Sequence, residues 1–430
     1  MTIGTESDRP RPGRRSLERA LSTPGRRRSA WNLSGFIGNA VLTFVAVVAT
    51  TRALGTETYG VYVGLVAYVG LVAPFATLGT SQTLLARVAT DRSRFATSLG
   101  SMLATFLLIG GPLFAAILAL AVVVMPDQSV GTIAVLAGVE FLGLGLLAAS
   151  GDACIALDRH AALAVHFVAA SAARAVAGLA LLLTDGDDVR TLAAYQLAGM
   201  AVATAAAVVW LASNGRPRFE RGDLPDAWST GRQFAFGRVA DTVMTNVDRT
   251  MLLRFGLDTD AGLYGAGVRM IAYGLLPARS VLNAGKAGFF EAGARSVDDA
   301  AAHGRRIARP ALLLTVAGTA VALVGTPLVV RLFGPGFGDT VWVVLAMALF
   351  PLVRTSHMLV GNVLTGSGHQ RFRARAQFGA AIGNVAINLV LIPRFGWQGA
   401  VAATYLTEIG YLATLWFGLR RRRVAFAPTG

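Results

Sequence analysis

A chain of 430 residues that is 54% hydrophobic and only 15% charged lacks the composition of a soluble enzyme. Its formal charge is +15, carried almost wholly by arginine, because Lys286 is the sole lysine. This surplus sits between apolar runs and not on a soluble surface interleaved with aromatics, which argues against nucleic acid and for membrane topology.

The first segment, 1–30, carries Arg9, Arg11, Arg14, Arg15, Arg19 and Arg26 to Arg28 among Pro, Ser and Gly. It cannot bury a core and is expected to be disordered. Paired arginines suggest a twin-arginine signal, but the apolar run begins only at Ala30 and no clear small-residue cleavage site follows. The expected state is an uncleaved cytoplasmic tail.

From there apolar runs follow at 31–51, 60–82, 97–124, 131–150, 161–184, 190–212, 232–256, 262–284, 310–333, 339–365, 376–393 and 398–419, spans 1 to 12. Each is long enough for a transmembrane helix. The expected fold is all-α: a polytopic membrane protein of about twelve helices. A six-helix half at 31–212, a linker at 213–231, a second half at 232–419 and a basic tail at 420–430 divide the chain.

Charge orients it. Arg87, Arg92, Arg94, Arg159, Arg216, Arg218, Arg221, Lys286, Arg295, Arg305, Arg306, Arg309, Arg371, Arg373 and Arg375 occupy alternate connections, on the side of the basic tails. The other connections are short and hold only Arg52, Arg190, Arg254, Arg331 and Arg394, at or near helix ends. The positive-inside rule then puts both termini in the cytoplasm of a multi-pass cell-membrane protein. Arg52, Arg254, Arg331 and Arg394 are expected to snorkel to the interface.

The halves repeat. Arg52, Gly60 and Tyr62 recur as Arg254, Gly262 and Tyr264 at one offset of 202 residues, each set closing the first outer hairpin of a half. Six helices per half is an even number, so the halves enter the membrane in the same sense, as a parallel repeat. Pro74 in span 2 and Pro277 in span 8 fall one residue from that offset, and each removes a helix hydrogen bond. Both spans are expected to bend, at positions where transporters of this plan bind substrate.

A charge at a helix centre costs roughly 2.5–3.5 kcal/mol on insertion scales, so each needs a reason. At about 100° per residue, Arg238, Thr242, Thr245 and Arg249 share one face of span 7, edged by Asp241 and Asp248. Span 1 carries Asn32, Asn39, Thr43 and Thr50 on one face, and Asn39 and Thr43 match Asp241 and Thr245 in the repeat. The two stripes are expected to line opposite walls of a central cavity. Glu140, Arg174, Arg269, Arg354, His357 and Glu408 are further charged or titratable residues inside spans, explained either by ion pairs that fix packing or by that cavity. The arginines suit an anion, since guanidinium binds phosphate bidentately and stays charged when desolvated. Arg174, Arg238, Arg249, Arg269, Arg354, Asn39, Thr43 and Thr245 are therefore the candidate substrate residues. Glu140, Asp241, Asp248 and Glu408 are the candidates for coupling to a proton or sodium gradient.

Catalytic signatures are missing from the sequence: no Walker loop, no nucleophile elbow, and five scattered histidines with one cysteine, Cys154. That excludes an intrachain disulfide, and it argues against a metal centre and against ATP bound on this chain. No cofactor is expected.

Asp248-Arg249-Thr250-Met251-Leu252, followed by Gly262-Leu263-Tyr264-Gly265-Ala266 and Arg269, resembles the D-R-x-x-L and G-L-Y-x-x-A-x-R pattern of bacterial polysaccharide flippases. These are the Wzx-like branch of the multidrug/oligosaccharidyl-lipid/polysaccharide exporter superfamily. Ala53-Leu54-Gly55 with Tyr59-Gly60-Val61-Tyr62 is similar to the family's opening. Asn384, Asn388, Ile392-Pro393-Arg394-Phe395-Gly396, Gly399-Ala400, Ala403-Thr404 and Glu408 are similar to its end. The resemblance implies two six-helix halves about a central cavity. It implies movement of an undecaprenyl-diphosphate-linked oligosaccharide from the inner to the outer leaflet by alternating access. Its partners would be membrane lipid, the lipid-linked oligosaccharide and polysaccharide assembly enzymes, with no nucleic acid. Family members can have fourteen helices, and twelve leave no extra pair for lipid-tail docking, which disfavours the lipid II branch. Competing readings are a multidrug/cation antiporter, which favours an acidic and aromatic cavity, a membrane polymerase or ligase, which usually presents a large outer loop, and a channel or passive scaffold, which needs no repeat.

Overall fold

A computed structural model describes residues 24–425, which are helical almost throughout. Among the described residues, eight helices are long and apolar enough to cross a membrane by length and composition. Two of them are double passes. Pro24–Gly70 turns at Gly55 (φ 69°) and Gln370–Ala425 turns at Gly396 (φ 54°), left-handed backbone that glycine adopts without steric cost. Leu224–Arg254, which is span 7, and the helical pieces from Asp258 to Gly293, which are span 8, fall outside the eight because polar residues crowd them. Counting these gives twelve passes, and an even count returns the chain to the side on which it began. That side is called the terminal side below, and the opposite one the hairpin side.

Helix ends depart from the hydropathy boundaries. The helix of span 1 starts at Pro24, so the last part of the tail expected to be disordered is helical. Residues 1–23 and 426–430, with Arg9, Arg11, Arg14, Arg15 and Arg19, lie outside the described residues. Span 7 begins at Leu224 with Pro225 in its first turn, where the missing N–H breaks no hydrogen bond. The linker expected over 213–231 is correspondingly shorter. Span 12 runs on to Ala425, and Arg420 lies 3.4 Å over the ring of Trp416.

Both repeated prolines mark broken helices. Span 2 stops at Gly70, passes through a tight turn at Ala73–Phe75 that contains Pro74, and resumes as Thr80–Thr90. Span 8 is Asp258–Gly274, then Leu276–Ala284 with Pro277 in its first turn, then Lys286–Gly293. Span 10, read as one run, is also divided, into Thr340–Ala346 and Phe350–Gly366, ahead of Pro351. Spans 3 and 4 carry widened π turns at Phe106–Gly110 and Phe141–Leu147. The second begins directly after Glu140, and such turns are frequent at functional positions.

The halves meet most closely on the hairpin side. A Cβ on Gly60 would collide with the carbonyl oxygen of Asp258, and one on Gly262 with that of Thr56. Nearby, Tyr59 packs edge-on against Phe337 with ring centroids 5.7 Å apart, and Phe337 against Phe333 at 5.8 Å. Tyr59 and Phe337 are completely buried. Span 2 follows span 7 toward the terminal side, through Gly64 against Leu253 and Gly79 against the Gly231 backbone. There Arg87 holds Asp223 at 2.9 Å and Asp226 at 2.5 Å, Ser101 donates to Asp223 at 2.6 Å, and the Trp228 indole donates to Thr105 at 2.9 Å.

Candidate functional site

Spans 1, 2, 4, 5, 6 and 8 converge on a polar cavity of about 330 Å³ in the N-terminal half. Glu140, 2% exposed, accepts a 2.9 Å hydrogen bond from Arg174 Nη2. A buried carboxylate without a partner would be strongly destabilising, so this pair explains how span 4 carries a charge in its middle. Arg174 remains 29% exposed and also lines the cavity, as does Arg269 of span 8. Tyr62 and Gln196 complete the wall, with the Gln196 amide donating to the Tyr62 hydroxyl at 3.0 Å. Ser171 donates to Asn39 Oδ1 at 2.5 Å and lies 3.1 Å from Thr43 Oγ1. These three face an adjoining cavity of about 290 Å³ that shares Thr43, Ser171 and Arg174 with the first. The Asn32 side chain lies outside the described residues.

Arg269 and Tyr273 also border a second, apolar cleft of about 520 Å³. Its walls are Phe44 and Val47 of span 1, Met270 and Pro277 of span 8, and residues such as Leu314 and Val321 of span 9. Val321 is exposed, as expected of a wall open to the surroundings. A polar chamber with two arginines thus adjoins an apolar cleft, and Arg269 stands on the boundary.

The C-terminal half holds a separate network. Arg354 donates to Glu408 Oε1 at 2.5 Å and to Asp241 Oδ1 at 3.0 Å, and His357 Nδ1 lies 2.6 Å from Glu408 Oε2. Glu408 is 3% exposed and Asp241 56%, so one arm of this network is buried and the other open. Arg238 is exposed and lines a small pocket of about 200 Å³ against the broken part of span 2, with Pro74, Gly79 and Gln82. Thr245 is exposed on the same face and donates to the Asp241 carbonyl at 2.7 Å, whereas Thr242 is buried.

Asp248 and Arg249 depart from the expected cavity stripe. Asp248 Oδ2 accepts from the Tyr264 hydroxyl at 2.6 Å, and Arg249 Nε stands 3.8 Å from Asp248 Oδ1. Arg249 Nη2 turns back along its own helix to Asn246 Oδ1, at 3.1 Å, and to the Thr245 carbonyl. With side chains 8% and 12% exposed, this pair is packed between helices. The helical wheel places Arg249 on the stripe, but Nη2 bonds its i−3 and i−4 neighbours and Asp248 stands beside Nε as counter-charge, which turns the guanidinium back onto its own helix.

The expectation of opposite walls is also modified. Asn39 and Asp241, equivalent in the repeat, each find a partner within their own half, Ser171 and Arg354. The structure therefore brings Asn39, Thr43, Glu140, Arg174 and Arg269 together, and separately Asp241, Arg354 and Glu408. Tyr62, Gln196, Ser171 and Tyr273 were not singled out as candidates. Gln196, a buried amide two turns into span 6, is the signal that could have found the first two.

The match to known proteins agrees with this arrangement. Residues 26–276 match the model of the polysaccharide biosynthesis protein family. No curated protein matches the chain. Among solved structures, an inward-facing multidrug resistance MATE family transporter of the MOP superfamily superposes with a TM-score of 0.72, at 14% identity, over 90% of this chain and 96% of that one. An outward-facing conformation of such a transporter gives 0.60, at 16% identity, over 94% and 98%. The MATE multidrug transporter DinF-BH gives 0.63, at 14% identity, over 98% and 99%. The fold is shared with these transporters, in two six-span halves. Because the family model covers more than half of its length, the chain belongs to the polysaccharide biosynthesis protein family, and it is a multi-pass membrane protein with the fold of these transporters.

Proposed function

We propose that the chain is a flippase that moves an undecaprenyl-diphosphate-linked oligosaccharide from the inner to the outer leaflet of the cytoplasmic membrane, for cell-surface polysaccharide synthesis. The observation that carries this reading is the adjacency of the two-arginine polar cavity to the apolar cleft, with Arg269 and Tyr273 bordering both. A lipid-linked diphosphate needs such a pair of environments. Guanidinium groups suit the diphosphate, and the cleft between spans 1, 8 and 9 lets the hydrocarbon tail stay in the bilayer while the head is enclosed. The terminal side, which holds most of the arginines, faces the cytoplasm on this reading.

The closed hairpin-side seam fits a state loaded from the cytoplasm. Alternating access would then open that seam and close the cavity below it. Asp241, Arg354, His357 and Glu408 are the groups through which a proton or sodium gradient would drive the cycle. The activity is transport and not catalysis, with no cofactor. Polysaccharide assembly enzymes would supply the substrate and consume it.

The test is the sidedness of the lipid-linked glycan in cells lacking the chain. Accumulation in the inner leaflet, reversed by the wild-type chain and not by Arg269→Ala, is the expected result. Unchanged sidedness with altered drug sensitivity would replace this reading with multidrug cation antiport.

A further inference from the structure

We propose that a cavity in the C-terminal half, separate from the site above, binds a negatively charged sugar residue of the transported glycan. The inference rests on the flippase reading and extends it to the chemistry of the cargo.

The cavity measures about 600 Å³ and lies between spans 7, 8, 10 and 11. That volume is within the range of small-molecule sites, about 300–1,000 Å³. Its position is near the terminal side, because Lys286 opens the last helical piece of span 8 and Arg373 stands close to the start of span 11. Arg373 is anchored, with Nη1 donating to Thr365 Oγ1 at 2.8 Å. Asn283, Asn362, Gln370 and Gln377 supply amides, and Phe290 and Phe378, each about half exposed, supply aromatic faces.

This is a sugar-binding set. Amides donate to and accept from neighbouring hydroxyls, and an aromatic ring covers the apolar C–H face of a pyranose. The charge distribution narrows the class. Among the described residues lining the cavity, Lys286 and Arg373 are the cations, and no carboxylate accompanies them. The N-terminal cavity differs, since Glu140 there already occupies Arg174. Two cations facing a partly enclosed space without a counter-ion gain most from an anionic ligand, and they disfavour an amino sugar. A carboxylate or a phosphate ester on the sugar ring meets this requirement.

The sequence provides a direct readout, because Lys286 is the only lysine. The purified full-length chain in detergent is treated with an amine-reactive reagent, and modification of the Lys286 peptide is followed by mass spectrometry. Labelling is repeated with methyl glucuronide, glucose 6-phosphate, methyl glucoside or inorganic phosphate at matched ionic strength. The expected result is that one or both acidic sugars slow modification at concentrations where the neutral sugar and phosphate do not; which of them protects identifies the charged group. In Arg373→Gln, loss of a charge-assisted contact should raise the concentration needed by about tenfold or more, with unprotected labelling unchanged. Asn362→Asp, which adds a negative charge to the cavity and leaves Arg373 in place, should abolish protection and serves if Arg373→Gln does not fold. Equal protection by methyl glucoside, equal protection by inorganic phosphate, or none by any sugar would overturn the proposal. The assay uses no lipid carrier, so its failure alongside altered glycan sidedness rejects this inference alone. Protection alongside unchanged sidedness rejects the flippase reading and, with it, the assignment to a transported glycan, leaving only an acidic-sugar site.

Discussion

Gly60 and Gly262 occupy reciprocal positions across the seam between the two halves. Each glycine leaves room for a backbone carbonyl of the other half, Asp258 for Gly60 and Thr56 for Gly262. The glycines are one repeat offset apart, and so are the two carbonyl residues. A pseudo-two-fold axis along the membrane normal relates contacts in this way, and the closure it makes depends on there being no side chain at either position.

Replacing Gly60 or Gly262 by Ala should therefore prevent this closure. Forcing a methyl into a filled contact costs about 1–3 kcal/mol, enough to shift a balanced two-state equilibrium roughly five- to 150-fold toward an open hairpin side. Spin labels on the hairpin ends of spans 2 and 8 would measure the separation. An unchanged distance distribution in both variants would show that these contacts do not govern closure.

The Glu140–Arg174 pair separates structural from functional roles. Glu140→Gln leaves Arg174 without its counter-charge and should cost about 3–5 kcal/mol of stability, read as a lower melting temperature in detergent. Adding Arg174→Met to it should recover much of the loss while transport stays absent. Recovery of transport by the double variant would confine Arg174 to packing.

Exposure sets different weights on the two arms of the Arg354 network. Asp241 is 56% exposed, and Asp241→Asn should change stability by no more than about 1 kcal/mol. Glu408 is 3% exposed and contacts both Arg354 and His357, so Glu408→Gln should cost several-fold more, about 3–5 kcal/mol. Thermal unfolding of the two variants side by side checks the order, and equal losses would contradict it.

Asp188 caps span 6 from outside the membrane. Its carboxylate accepts from the Thr191 backbone N–H at 2.8 Å, and hydrogen bonds from Thr191 hold its pKa below the ordinary carboxylate value. A depressed folded-state pKa contributes stability above the unfolded value, and this is lost as pH falls through the folded one. Asp188→Ala should cost about 1 kcal/mol near neutral pH. The gap from wild type should shrink as pH drops below 3.8, the value the group has without these bonds. Melting curves across that range test it, and a constant gap would exclude the cap as the source.

Local features were legible in the sequence. Twelve passes and the bends at Pro74 and Pro277 depend on hydropathy and on backbone constraints that a few neighbouring residues set. The repeat motif that pointed to parallel halves contains the glycines that make the seam. The break in span 10 was missed although Pro351 marked it, because the apolar run continues through it.

The sequence alone determined the solvent, the helical class, the doubled architecture and an arginine-bearing interior, since burying a charged side chain in lipid is costly wherever it occurs. Only the tertiary structure decided which charges are free to act. A helical wheel gives the face a residue shares but not the helix it meets, so Glu140–Arg174 and Arg354–Glu408, 34 and 54 residues apart, could not be paired in advance. Arg249 and Arg269 belong to one motif. Packing turned Arg249 back onto its own helix and left Arg269 between a polar cavity and an apolar cleft.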